Sequence, residues 1–135
     1  MTPDRASPLA GGYLTDSDTS QRVERMPQRY DRALPANAAK VEAVAKLREL
    51  ARQSGLSLIH LAIAFVLRHP AVTSAIIGPR TMEHLESALG ADKVVLSSDV
   101  LDRIDEIVPP GTNLNPADAG WHPPSLIDPA QRRRP

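Results

Sequence analysis

Residues 72–77, Val-Thr-Ser-Ala-Ile-Ile, restrict the fold of this chain more than any other stretch. The segment is short, rich in β-branched residues, apolar on both faces and ended by Gly78-Pro79, the pattern of a buried strand. A strand cannot stand alone, because its backbone donors and acceptors need neighbours. One that is apolar on both faces belongs in a parallel sheet covered by helices. Lys93 to Leu96 reads only as a short extended piece. The partners of 72–77 are therefore expected from another chain, or from a longer α/β protein of which this is the end.

Helices dominate the remainder. Residues 36–54 place Val41, Val44, Ala45, Leu47 and Ala51 on one face at three- and four-residue steps. Asn37, just after Pro35, is the expected cap, and Gly55 the expected stop. Residues 57–69 form a second helix, begun by Ser57 and stopped by Pro70. That helix is apolar nearly all round, so it is expected to be buried on more than one side. Thr81 caps a helix-length segment from Met82 to Leu89. Ser97 caps another from Ser98 to Val108, with Leu96 stapled against Leu101. Its apolar face is Val100, Leu101, Ile104, Ile107 and Val108; its acidic run, Asp99, Asp102, Asp105 and Glu106, reads as a solvated face.

Three regions follow. Residues 1–34 are loop-rich, with one short helical turn around Ser20 to Arg25. Residues 35–111 are the helical and strand core. Residues 112–135 are a loosely ordered tail with Pro116, Pro123, Pro124, Pro129 and Pro135, ending in Arg132-Arg133-Arg134. There is no internal repeat.

Composition excludes several classes of function. Sixteen Lys+Arg balance sixteen Asp+Glu, against the basic excess of a nucleic-acid binder. The absence of cysteine removes disulfides, thiolate metal sites and cysteine nucleophiles. Neither His60 nor His69 has a ligand partner at metal spacing; His60 is expected to bond locally, and His69 to sit as a cation at a helix end. Leu56 to Leu67 is too short to span a bilayer, and the N-terminus lacks the apolar core of a signal peptide. A cytoplasmic protein with no membrane partner is the expectation. Two non-enzymatic readings stand beside any enzymatic one. The helix–glycine–helix ELARQSGLSLIHLAIAFVL has the form of a DNA-binding helix-turn-helix, but its second helix offers no Arg, Asn, Gln or Lys to base edges. A small helical interaction protein would pair its exposed 72–77 edge with a partner, or self-associate.

SPLAGGYLT, AIAFVLRHPAVTSAIIGPRTMEHLES and LSSDVLDRID resemble the C-terminal part of the aldo-keto reductases, over residues 7 to 127. The resemblance implies an α/β fold, the last part of a (β/α)8 barrel, mostly helical with one or two short strands here. It implies carbonyl reduction with NADP as cofactor, on a small-molecule carbonyl substrate once the missing half completes the barrel. Ser7, Leu9, Gly11 and Gly12 would cradle the diphosphate, where glycines let backbone amides approach phosphate closely. Ile77, Gly78, Arg80 and His84 would hold the adenosine end, with Arg80 suited to a ribose 2′-phosphate. Ser87 and Ala88 depart from the family's acidic residue and asparagine at the adenine. Pro3, Asp4, Arg5 and Ala6 stand where the family has an apolar strand, and Trp121 falls where a pocket could be lined. No position matches the family's catalytic Asp, Tyr, Lys and His, so the chain alone is expected to be inactive. Tyr13 and Tyr30 follow the diphosphate loop and do not take the catalytic role.

Overall fold

A computed structural model of the chain describes residues 8–15, 22–115, 118 and 130. A left-handed turn at Ala10–Gly12 opens it. Among the described residues the α-helices that follow are α1 (Arg22–Arg25), α2 (Pro27–Tyr30), α3 (Ala38–Gln53), α4 (Leu58–Leu67), α5 (Met82–Glu86) and α6 (Ser98–Ile107). Short 3-10 turns at Pro35–Asn37 and Ala91–Lys93 lead into α3 and out of the α5 region. The short helical turn expected around Ser20 to Arg25 is present as α1, and α2 follows it.

Local chemistry sets most helix ends. The hydroxyls of Ser57, Thr81 and Ser97 accept the backbone N–H of His60, His84 and Val100, so each satisfies an orphan donor of its first turn. At the end of α3, Leu56 N–H donates to the Ala51 carbonyl (2.9 Å) and Gly55 N–H to that of Arg52 (3.2 Å). This is a Schellman ending, and it needs the positive φ of 70° that Gly55 adopts. Asn37 occupies the cap position of α3 but makes no cap hydrogen bond. Its side chain turns inward, as described below.

α4 is the hub of the core. Leu61 and Ala64 pack with Leu50 and Ala51 of α3, with Leu96, and with Leu101 and Ile104 of α6. Leu58 packs with Tyr13 and Val44. Ile63 packs with Ala88 and Ala91. One helix thus serves three apolar clusters, which explains why its sequence has no polar face. Burial of Leu61 alone is worth roughly 1.5–3 kcal/mol. On α3 the buried face is Ala43, Val44, Leu50 and Ala51; Ala45 is exposed, because the helix is turned toward α4 and α6 rather than centred on the periodic stripe. α3 and α4 meet at a 93° bend, and among the described residues no single helix is long and apolar enough to cross a membrane.

The expected strand is not formed: there is no β-strand among the described residues. From Thr73 to Gly78 no backbone group is hydrogen-bonded to a described residue. The burial still alternates as a strand's would. Ala75 and Ile77 pack toward Ile63, while Ile76 is 89% exposed. The reason is non-local: side-chain alternation is present, but no neighbouring backbone completes the ladder. Lys93 likewise closes a 3-10 turn rather than opening a strand, and Val95 stands 82% exposed between Val94 and buried Leu96.

On the surface of α3, Glu49 accepts hydrogen bonds from Arg52 Nε (2.8 Å) and Gln53 Nε2 (2.9 Å). These donors hold its carboxyl down to about 2, from an ordinary 4.5. A lowered carboxyl pKa stabilises the fold above the unfolded value, and the gain disappears as pH falls toward the folded one. The melting-temperature advantage of the native chain over Glu49→Gln is therefore expected at neutral pH and absent near pH 2. An equal difference at both pH values would contradict it.

Candidate functional site

The turn at Ala10–Gly12 is left-handed throughout, with φ of 47° at Ala10, 70° at Gly11 and 105° at Gly12. Only glycine accepts such angles without cost, which accounts for the Gly-Gly pair. The turn is closed by its own amides: Gly12 N–H and Leu14 N–H both donate to the Leu9 carbonyl, at 2.9 and 3.2 Å. Gly11 is buried, and a Cβ there would collide with Tyr30 Cε1 and lie 2.8 Å from Cζ. The missing side chain makes room for the Tyr30 ring.

Leu9, at the start of this turn, and Ile77, at the end of the 72–77 segment, pack on the same cluster around Ile63. The structure therefore packs one residue of each predicted group on the same cluster. Gly78 follows Ile77 with open space on its Cα: a Cβ there would meet nothing within 4 Å. Arg80 and His84 are exposed before and within the first turn of α5, where Thr81 caps the helix. Ser7, Pro3 to Ala6, Trp121 and Arg132 to Arg134 lie outside the described residues.

His60 departs from expectation. It does not bond locally; its Nε2 donates to the Leu89 carbonyl at 3.1 Å, linking α4 to the turn after α5. His69 Nδ1 accepts the Ala71 N–H at 3.1 Å just past the end of α4. Among the described residues there is no cluster of three or more His, Asp or Glu that could hold a metal ion.

The sequence reading missed a polar cluster beside the glycine turn. Tyr13 is buried and donates its hydroxyl to the Arg29 carbonyl at 3.3 Å. Burial pushes its hydroxyl pKa up, against the opposing charge of Arg32. It stays a protonated donor with its hydrogen bond already made inside the protein. Lys40 Nζ donates to the same carbonyl at 3.0 Å and pairs with Asp118. Asn37, fully buried, donates to the carbonyls of Gln28 (3.0 Å) and Asp31 (2.9 Å). Its Oδ1 accepts from Asn115 Nδ2 at 3.1 Å. A buried asparagine with no apolar reason to be inside was the available signal, but it is identical in sequence to a helix cap.

Residues 5–109, more than half of the chain, match the Aldo/keto reductase family. Among curated proteins, the chain is 28% identical over 115 residues to the uncharacterized oxidoreductase YrpG of Bacillus subtilis (strain 168), covering 85% of this chain and 34% of that protein. It is 32% identical over 99 residues to Protein tas of Escherichia coli (strain K12), covering 73% of this chain and 28% of that protein. It is 28% identical over 114 residues to the L-glyceraldehyde 3-phosphate reductase of Escherichia coli (strain K12), covering 82% of this chain and 33% of that protein. The chain thus spans about a third of the length of these relatives.

Proposed function

Since the chain belongs to the aldo/keto reductase family, whose members fold as (β/α)8 barrels, we propose that it supplies the cofactor-holding end of an NADP-dependent carbonyl reductase. Leu9 and Gly12 would lie on the diphosphate side, with Ser7 as the loop's serine, while Gly11 is buried against Tyr30 and shapes the turn. Ile77, Gly78, Arg80 and His84 line the adenosine side. The observation that supports this most is the shared packing of Leu9 and Ile77 on the Ile63 cluster, which joins two segments distant in sequence. The open face of Gly78 leaves room beside them, and the exposed Arg80 offers a guanidinium suited to a 2′-phosphate.

The bound cofactor would supply hydride to the carbonyl carbon of an aldehyde or ketone, giving the alcohol. The chain's part is to hold and orient. The positions that match the family leave no assigned proton donor, and Tyr13 is committed to the Arg29 carbonyl. Reduction would then require barrel strands beside Thr73–Gly78, whose backbone is unpaired among the described residues.

Fluorescence titration of the pure chain with NADPH and NADH tests the reading. NADPH is expected to bind more tightly, and Arg80→Ala to lower that preference about tenfold. With reactive aldehydes added, no turnover above background is expected. Equal affinity for the two cofactors would remove the NADP assignment, and turnover by the chain alone would remove the division of labour.

A further inference from the structure

We propose that Asn37 is a positioning residue for the glycine turn, and that Asn115 acts on that turn through it. The inference deepens the cofactor reading and rests on it only for its effect on binding.

The argument begins with the end of α2. The last carbonyls of a helix have no partner within it. Here three carbonyls around that end are taken by side chains from elsewhere. Asn37 holds those of Gln28 and Asp31. Tyr13 and Lys40 both donate to that of Arg29. Tyr30 lies between the carbonyls that Asn37 grips, and its ring fills the space in front of Gly11. The position of α2 therefore sets how the glycine turn is backed.

Asn37 is held in its turn from the C-terminal side. Both of its N–H groups face the α2 carbonyls, which leaves Oδ1 as an acceptor, and Asn115 Nδ2 fills it at 3.1 Å. Asn115 is itself buried. Asp118, whose N–H donates to the Asn115 carbonyl at 2.9 Å, adds the ion pair to Lys40. A path of direct contacts runs from Asn115 to Asn37, to the end of α2, to Tyr30 and to Gly11. A packed, hydrogen-bonded path of this kind transmits displacement because each link has one satisfied arrangement.

The test uses the whole chain. Amide spectra and hydrogen exchange are recorded for the native protein, Asn115→Ala and Asn115→Asp, the last keeping the shape while removing the donor. Both variants are expected to shift the Gly11 and Gly12 resonances and to speed their exchange roughly fivefold to tenfold. The NADPH dissociation constant is expected to rise about fivefold. Leu101→Ala, in the cluster between α3 and α6, is the control for a merely structural loss; it is expected to lower stability while leaving the glycine resonances in place. Unchanged glycine signals in both Asn115 variants, or shifts matched by Leu101→Ala, would overturn the positioning role. If the glycine signals respond but neither native nor variant protein binds NADPH, the positioning role holds and the cofactor reading fails.

Discussion

Gly11→Ala is expected to lower the unfolding free energy by about 2–4 kcal/mol. Two costs combine. The residue sits at φ 70°, where a β-carbon is strained by roughly 1 kcal/mol. The added carbon would also collide with the Tyr30 ring, an overpacking cost of about 1–3 kcal/mol. Tyr30 has little freedom to retreat, since Asn37 holds the carbonyls of Gln28 and Asp31 on either side of it. Gly55→Ala isolates the first cost. It has the same φ of 70°, but nothing lies within 4 Å of the new carbon. A loss of about 1 kcal/mol is expected there. Urea unfolding of both variants makes the comparison, and equal losses would show that the Tyr30 contact carries no weight.

Asn37→Asp is expected to cost about 3 kcal/mol at neutral pH, although it changes one atom type. The native amide donates two hydrogen bonds and is fully buried. A carboxylate in its place faces the oxygens of Gln28 and Asp31 with no proton to offer. Burial and those oxygens raise the introduced group's pKa in the folded state above its unfolded value of about 3.9. The penalty is then smallest below the unfolded value, where the protonated acid donates one hydrogen bond. It grows as pH rises toward the folded pKa and is complete above it. Stability relative to the native chain, measured by urea unfolding near pH 4 and near pH 7, should differ most at pH 7. A deficit independent of pH would mean that the position tolerates a buried charge.

Much of the local structure is legible in the residues. The side chains of Ser57, Thr81 and Ser97, and the glycine at 55, act on backbone groups within four residues of themselves, so their effect does not depend on the rest of the fold. The all-round apolar character of α4 announces that it is central, and it joins all three clusters. The family, too, is carried by short segments that keep their spacing.

The candidate site is only half legible, and the missing half is long-range. Asn37 stands where a cap would stand, and its sequence context is that of a cap. It turns inward to the carbonyls of Gln28 and Asp31, and accepts from Asn115, which is distant in the chain and lies at the edge of the proline-rich segment. Gly11 reads as a residue that frees an amide, whereas the structure adds an aromatic wall that Tyr30 brings from α2. Ala43 is buried and Ala45 is exposed, an offset from the periodic stripe that depends on how α3 packs.

Residue type and order alone therefore established the helices α3, α4 and α6, the caps at Ser57, Thr81 and Ser97 with the stop at Gly55, and the kinship of the chain. Those are short-range properties, written by contacts between near neighbours. Tertiary packing settled that residues 72–77 remain unladdered, that Leu9 and Ile77 both pack on the cluster of Ile63, Ala88 and Ala91, and that Asn37 and Asn115 bond to each other. A hydrogen bond between remote groups leaves no periodic mark along a chain, since either partner keeps the same local appearance whether or not the other arrives.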